Sequence, residues 1–374
     1  MFSMGQIKKD GSSWYFVAEV GTDPVTGKRK RKKQRGFKTK RDAEKALALI
    51  ESEVIRGTFF EPSNITLEDH LTEWFKIKRN MINIQTAEVY KGYIKNRIVP
   101  TLGSTQLSKL SPVLLQSYVN DLVEDGLASG TIKKLNNILK SALDHAVNME
   151  LLPSNPIVKV QLPKVIKKEM KVWQMEEMNQ FLRVAIKHRF YPAFHLALTT
   201  GMRRGEILGL RWKDVDLEKG ILYVHQTLSG DGKYFLNGAK TEAGVRSIKL
   251  ANESILMLKK QKRLLAVEKL ACGPAYVDYD LVVCTSIGTP VNPNNLKKTY
   301  HKLIKEAAVP LIRFHDLRHT HATLLLSQGV HAKVISERLG HSNIKTTLDI
   351  YSQILPNMQE DAANQIDILL TNTK

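Results

Sequence analysis

The sequence is short of cysteines and of long apolar runs. Its 374 residues contain two cysteines, Cys272 and Cys284, which are too few for a disulfide framework or a multi-thiolate zinc site, so we expect a reducing, cytosolic compartment. Apolar runs such as residues 46–50 and 324–326 are far shorter than the ~20 residues that cross a bilayer, and residues 1–9 contain no apolar stretch. We therefore expect neither a membrane span nor a secretory signal.

Acidic residues are also few relative to basic ones. The 56 Lys and Arg residues exceed the 37 Asp and Glu residues by 19, which predicts a polyanionic partner, most commonly nucleic acid. Binding to a membrane surface would instead need a basic amphipathic helix with bulky apolar residues opposite, and the sequence shows none. A hydrophobic fraction of 43% is typical of a globular protein, and the length predicts two or three domains.

Residues 1–60 predict a small β-sheet with one helix. The aromatic-rich residues 12–20 and the basic residues 28–37 predict two strands, and Thr39 can cap the helix that follows. Ten basic residues and no acidic one lie within positions 28–41. So many like charges on one strand repel one another unless phosphates neutralise them, so one interpretation is a sheet that lies on DNA. The other interpretation is a solvated tail or a localisation signal. The candidate DNA-binding residues are Lys28, Arg29, Lys30, Arg31, Lys32, Lys33 and Arg35.

Residues 65–160 predict an all-helical domain. Four helices are predicted. The first begins after its cap Thr66, and the others cover residues 86–98, 112–124 and 129–149. The helix at residues 86–98 should stop before Pro100. The segment shows no clustering of catalytic residue types, which leaves a binding module and a purely structural bundle as alternatives.

Residues 170–374 are mainly helical in pattern, with a predicted β-hairpin insertion whose strands are residues 234–241 and 245–250.

Two segments of the last domain place an arginine where it could meet a phosphate. In TGMRRGE, residues 200–206, Arg203 lies in the predicted first helical turn, and it forms either a weak surface ion pair with Glu206 or a phosphate contact. In HDLRHT, residues 315–320, His315 and Arg318 would suit a phosphate as a proton carrier and a guanidinium clamp. The alternative is a zinc site formed by His315 and His319, although Arg318 would repel the cation.

A third segment combines a histidine with a tyrosine. Residues 334–339 predict a short helix closed by Gly340, with His341 directly after it. Asn343 can cap the next predicted helix, which carries Tyr351 on its apolar stripe. Core packing is one interpretation of Tyr351. A phenol nucleophile is the other, and it requires a base or nearby cations that favour the phenolate.

Taken together, these segments resemble the tyrosine recombinase (phage integrase) family. The resemblance lies in the ordered set of TGMRRGE, HDLRHT, LGH at residues 339–341 and Tyr351, with Lys240 in the position of the family's hairpin lysine. It covers nearly the whole chain and implies a multidomain, mainly α fold. The implied domains are an arm-type DNA-binding domain of β-sheet plus helix at residues 1–60, an all-α, four-helix core-binding (SAM-like) domain at residues 65–160, and a mostly α catalytic domain with a β-hairpin insertion at residues 170–374.

The resemblance implies a site-specific DNA recombinase. Such an integrase cuts and rejoins DNA through a 3′-phosphotyrosine intermediate and integrates and excises a phage or other mobile element. The implied catalytic residues are Arg203, Lys240, His315, Arg318, His341 and the nucleophile, Tyr351. The two arginines would hold the non-bridging oxygens, Lys240 would protonate the leaving 5′-oxygen, His315 would assist proton transfer and His341 would hydrogen-bond the phosphate. Glu206 would buttress the helix that carries Arg203.

The resemblance also implies partners. These are double-stranded DNA at attachment sites, further copies of the chain in a homotetramer, and an excisionase or DNA-bending accessory protein. No cofactor and no metal are expected, and the expected location is the cytoplasm of a bacterial host. Residues 362–370 either dock on a neighbouring subunit or form a loosely packed terminus. A non-catalytic DNA-binding regulator and a type IB topoisomerase, which shares this chemistry, are the alternative functions.

Overall fold

A computed structural model of the chain describes residues 5–22, 27–56, 59, 64–165, 171–237, 246–341, 343–345, 347–348, 366–367 and 370. The chain divides into two compact units, Met1–Lys167 and Lys168–Lys374. Lys240, Tyr351, the predicted hairpin turn and most of residues 362–370 lie outside the described residues. No helix in the described part is both long enough and apolar enough to cross a membrane.

A three-stranded antiparallel sheet begins the first unit. In sheet order, its strands are Gln6–Asp10 (β1), Ser13–Thr22 (β2) and Arg29–Phe37 (β3). Helix α1, Lys40–Ile55, begins after its cap Thr39 and covers the face of the sheet where Phe16 is fully buried. The sequence pattern does not predict β1, because the side chains of this strand are mostly polar and exposed and show no apolar alternation.

Helices form the second core of the first unit. They are α2 (Leu67–Lys78), α3 (Ile84–Tyr93), α4 (Val99–Leu102), α5 (Pro112–Glu124) and α6 (Ser129–Asn148), and a π-helical turn, Ile94–Ile98, joins α3 to α4. The prediction that a helix stops before Pro100 is therefore wrong. The helix instead continues through the π turn, where the Val99 N–H donates to Ile94 O in a shifted hydrogen-bond register, and Pro100 is the second residue of α4.

Buried aromatic rings lie at the centre of the second unit. Trp173, Phe181, Phe194 and Tyr300 are fully buried, and the rings of Phe181 and Tyr300 meet edge to face at 5.6 Å between centroids. The surrounding helices are α7 (Met175–Ala185), α8 (Tyr191–Thr200), α9 (Arg204–Gly209), α10 (Asn252–Cys272), α11 (Pro293–Glu306), α12 (Asp316–Ser327) and α13 (Ala332–Leu339). Helix α8 is buried on nearly every side, as its apolar sequence predicts.

Two small antiparallel sheets accompany these helices. One contains β4 (Val215–Asp216), β5 (Ile221–Val224) and β8 (Arg246–Lys249), and the other pairs β6 (Gln226–Leu228) with β7 (Phe235–Asn237). The two predicted hairpin strands are thus present in part as β7 and β8. Their described residues pair with β6 and β5 rather than with each other, because β8 buries Ile248 beside Leu222 of β5.

Gly201 allows three helices to approach one another. It joins α8 to α9 in a left-handed conformation, with φ at 67°. A Cβ atom at this position would lie 2.4 Å from Leu339 Cδ2 in α13 and 2.8 Å from His321 Cδ2 in α12. Neither space nor backbone conformation admits a larger residue here.

We expect Gly201→Ala to destabilise the protein by about 3 kcal/mol, because a left-handed alanine costs about 1 kcal/mol and overpacking adds the rest. Gly329→Ala is the matched control. Gly329 has φ at 76° and open space around it, so we expect a loss of about 1 kcal/mol. Denaturant unfolding measures both variants, and equal losses would contradict the predicted clash.

Candidate active site

The ends of several helices bring the candidate arginines together. Arg318 lies in the first turn of α12, and Arg203 lies at the N-cap of α9. The structure therefore places Arg203 one residue before the helix, whereas the sequence pattern predicts it within the first turn. Both side chains reach the C-terminal end of α13, where Leu339 and Gly340 precede His341.

Arg318 is buried, with 3% of its surface exposed. Its Nη1 donates to Gly201 O at 2.8 Å, and its Nη2 donates to Leu339 O at 2.6 Å. Burial, and next the charge of Arg203, lower the pKa of Arg318 to about 9, so the guanidinium remains charged at neutral pH. An anion bound beside it would offset both effects.

The buried carboxylate of Glu206 joins two arginines. Arg203 donates to it through the backbone N–H at 2.9 Å and through Nη1 at 2.7 Å. Arg246 donates through Nη1 at 3.2 Å and through Nη2 at 2.8 Å. Burial alone would raise the pKa of Glu206, but the hydrogen bonds and charges of Arg246 and Arg203 hold it below its usual range. An ionised Glu206 suits the predicted role of a buttress.

Arg246 and Arg338 lie beside Arg203 and Arg318, and the sequence pattern predicts neither of them as a site residue. Arg246 Nε donates to Arg338 O at 2.8 Å, and Arg338 Nη2 donates to Thr199 O at 3.0 Å. Their only sequence signals are the nearby Lys240 and the LGH motif, which do not indicate such distant acceptors. We call Arg203, Arg246, Arg318 and Arg338 the arginine cluster.

Two neutral histidines accompany the cluster. Although part of the His315 surface is exposed, desolvation of its ring, followed by the charges of His319 and Arg318, lowers its pKa to about 4. Burial, followed by the charges of Arg318 and Arg203, lowers the pKa of His341 to about 3. His341 Nδ1 lies 2.8 Å from Thr347 Oγ1. When that hydroxyl donates, Nε2 of His341 carries the ring hydrogen and can donate to a phosphate oxygen.

The zinc alternative depends on His315 and His319. Their rings lie edge to face, with centroids 5.1 Å apart. Asp316, which lies between these two histidines in the sequence, pairs with Arg313 at 2.8 Å. Among the residues that the structure describes, no group of three or more His, Cys, Asp or Glu side chains is placed to hold a metal ion.

The candidate DNA-binding residues lie on β3 and directly before it, and all except the half-buried Lys32 are exposed. Lys33 and Arg35 lie over the ring of Tyr15, at 4.3 Å and 5.8 Å from its centroid. Lys32 lies over Phe59 at 5.2 Å, in the cluster that α1 covers. Alternation along β3 therefore leaves Lys33 and Arg35 on the uncovered face of the sheet.

Comparison with known proteins covers both units. Residues 168–358 match the phage integrase family, residues 6–54 match the arm DNA-binding domain, and residues 66–123 match the phage integrase N-terminal SAM-like domain. The chain is 33% identical to the tyrosine recombinase XerC-like protein of Caldanaerobacter subterraneus subsp. tengcongensis, over 96% of this chain and 97% of that protein. The chain belongs to the phage integrase family. It is therefore a tyrosine recombinase, an enzyme of site-specific DNA recombination.

Other relatives of this integrase include the ICEBs1 integrase of Bacillus subtilis, which is 30% identical over 71% of this chain and 73% of that protein. The Tn1549 transposon integrase in complex with a circular intermediate DNA superposes with a TM-score of 0.65 at 20% identity, covering 79% of this chain and 99% of that one. A lambda integrase tetramer bound to a Holliday junction superposes with a TM-score of 0.62 at 19% identity, covering 93% of this chain and 95% of that one. The predicted multidomain, mainly α fold is thereby confirmed.

The lowered pKa values predict that His315 and His341 stay neutral as the pH falls, because an imidazole is neutral above its pKa. From about pH 7.5 to about pH 5.5 we expect neither ring to titrate, whereas an ordinary histidine with a pKa of about 6.5 would become about nine-tenths protonated. Histidine side-chain NMR of the DNA-free integrase measures this, with signals assigned from His315→Gln and His341→Gln. A midpoint near pH 6.5 for either ring would contradict a desolvated site.

Proposed function

We propose that this integrase cuts and rejoins DNA at attachment sites and thereby integrates and excises a phage or other mobile element. The observation that carries the proposal is the arginine cluster, in which Arg203 and Arg246 share the buried carboxylate of Glu206 while Arg318 and Arg338 donate to backbone carbonyls. Phosphoryl transfer depends on positioning and on positive charge. Four guanidinium groups beside two neutral imidazoles supply both at one place.

Tyr351 is the proposed nucleophile. Its phenolate oxygen attacks the scissile phosphorus, and a new bond from oxygen to phosphorus forms as the bond from phosphorus to the 5′-oxygen breaks. The products are a 3′-phosphotyrosine and a 5′-hydroxyl. Attack by the 5′-hydroxyl of a second duplex reverses the step and joins the exchanged strands. The phosphotyrosine keeps the energy of the broken bond, so the reaction needs no nucleotide cofactor.

Arg318 and Arg203 are proposed to hold the non-bridging oxygens of that phosphate. A guanidinium has five donors, and the bonds from Arg318 to Gly201 O and Leu339 O use two of them. These acceptors orient the group before DNA arrives. A guanidinium fixed in a desolvated site stabilises the charge that develops in the transition state more strongly than water does.

Three further side chains are proposed to handle protons and hydrogen bonds. The neutral ring of His315 accepts the proton that leaves the phenol of Tyr351, and Lys240 gives a proton to the departing 5′-oxygen. His341 donates a hydrogen bond to a phosphate oxygen. One proton is thus taken up and one delivered, so each cleavage step is balanced.

The same proposal divides the chain into three parts: residues 1–60 bind arm-type DNA, residues 65–160 bind the core site and residues 170–374 catalyse strand exchange. On the arm, Lys33 and Arg35 would contact phosphates from the uncovered face of the sheet, and the ring of Tyr15 would hold their stems in place. The exposure of residues 28–31 supports their place in the same DNA contact.

We further propose that the integrase acts as a homotetramer on double-stranded DNA in the cytoplasm of a bacterial host. The support is that a lambda integrase of similar fold is a tetramer bound to a Holliday junction. Residues 362–370 would dock on a neighbouring subunit. An excisionase or DNA-bending protein would set the direction of the reaction.

The test of this function is Tyr351→Phe, which removes only the nucleophilic oxygen. We expect DNA binding to be kept and the covalent adduct to be lost completely on a nicked suicide duplex, analysed by denaturing electrophoresis. Tyr279→Phe, at an exposed tyrosine of the second unit, is the matched control and should form normal adduct. Adduct at the wild-type level in Tyr351→Phe would identify another nucleophile.

A supercoiled plasmid that carries cognate sites separates the alternative functions with the wild-type protein. Recombinant products are expected. Relaxation without recombinants would indicate a topoisomerase, and the absence of any adduct would indicate a regulator that only binds DNA.

A further inference from the structure

Three consecutive carbonyls at the C-terminal end of α13 accept hydrogen bonds from three different arginines. The pairs are Arg338 O with Arg246 Nε at 2.8 Å, Leu339 O with Arg318 Nη2 at 2.6 Å, and Gly340 O with Arg203 Nη2 at 3.2 Å. The last carbonyls of a helix accept no hydrogen bond from within the helix, and they carry the negative end of its dipole. They therefore suit cationic donors. The end of α13 therefore sets the positions of three arginines at once.

The side chain of Arg338 ties this helix end to three other segments. Its Nη1 donates to Lys249 O at the end of β8, and its Nη2 donates to Thr199 O in the last turn of α8, both at 3.0 Å. Its Nε donates to His321 Nε2 in α12 at 3.2 Å. His321 Nδ1 lies 2.8 Å from Leu198 O, and a carbonyl only accepts, so Nδ1 carries the ring hydrogen and Nε2 is the acceptor.

The buried hydrophobic cluster that includes α13 is shared with α12. Its buried residues are Ala322, Leu326, Ile335 and Leu339. The polar bonds of Arg338 reach beyond that cluster, to α8 and β8. The three guanidinium nitrogens of Arg338, Nε, Nη1 and Nη2, each donate to a protein acceptor. Arg338 therefore acts on the site through its neighbours.

We propose that Arg338 is a positioning residue for strand cleavage. It docks the end of α13 so that the carbonyls of residues 338–340 hold Arg203, Arg246 and Arg318 in the arrangement that receives the scissile phosphate. This inference rests on the proposed function, because it concerns how the phosphate-holding groups are arranged. Loss of the Arg338 side chain would loosen three arginines together, and a misplacement of about 1 Å in an active site can cost about 100-fold in rate.

A substrate whose scissile group is neutral shows whether an Arg338 variant is slow because its arginines are misplaced or because the protein is less stable. Replacing one non-bridging oxygen by methyl gives a methylphosphonate, which carries no negative charge and therefore depends less on the arginines. On the ordinary phosphodiester, we expect Arg338→Met to cleave about 100-fold more slowly than wild type at equal DNA binding. On the methylphosphonate, we expect the ratio of the wild-type rate to the variant rate to fall below about 10.

Arg189→Met is the matched control. Arg189 is also partly buried, and its guanidinium pairs with Glu268 of α10 and donates to Cys284 O. A variant that lowers stability without disturbing the cluster should give the same rate ratio on both substrates. Arg338→Lys keeps the charge but lacks the planar fork, and it serves for the same comparison if Arg338→Met does not fold.

Two results would overturn the inference: a wild-type rate in the Arg338 variants, or a rate ratio that is the same on both substrates. Failure of the wild-type protein to form the covalent adduct would instead overturn the proposed function. Every reaction is therefore run beside wild type and Tyr351→Phe.

Discussion

Four guanidinium groups are held close together by the carboxylate of Glu206, by backbone carbonyls and by the ring of His321. Among the described residues, Glu206 is the buried acid that contacts them, through Arg203 and Arg246. Within the described part of the chain, the cluster thus carries more positive than negative charge in a partly buried place, where an uncompensated ion costs several kcal/mol. A phosphate would supply the missing negative charge. The same surplus, added to burial, lowers the pKa values of His315 and His341.

Backbone geometry makes this arrangement feasible. Gly201 and Gly340 each end a helix in the left-handed conformation, with φ at 67° and 64°. Each then presents its carbonyl to a cluster arginine: Gly201 O accepts from Arg318, and Gly340 O accepts from Arg203. A carbonyl at a helix end is fixed by the packing of the whole helix, so it orients a guanidinium without a flexible acidic side chain. The arginines are thus in place before DNA binds, which is what electrostatic preorganisation requires.

Local signals in the sequence predicted much of this molecule. Helix starts were predicted from caps whose partners lie three residues away, at Thr39 and Thr66. The order of the motifs predicted the family, which the comparisons confirm, while the roles of Lys240 and Tyr351 stay predictions. The contributions of Arg246 and Arg338 could not be predicted, because their acceptors lie as far as 92 and 139 residues away in sequence. The strand β1 was missed because it is polar.

Cleavage of a single DNA duplex in excess EDTA, at fixed ionic strength, tests most directly whether protein side chains supply the charge at the scissile phosphate. The ionic strength must be fixed because phosphate contacts weaken steeply with salt. We expect the phosphotyrosyl adduct to form at the same rate with and without the chelator, because the arginine cluster is unaffected by it. Loss of cleavage in EDTA, restored by zinc and giving freely hydrolysed ends in place of a protein–DNA adduct, would contradict this mechanism.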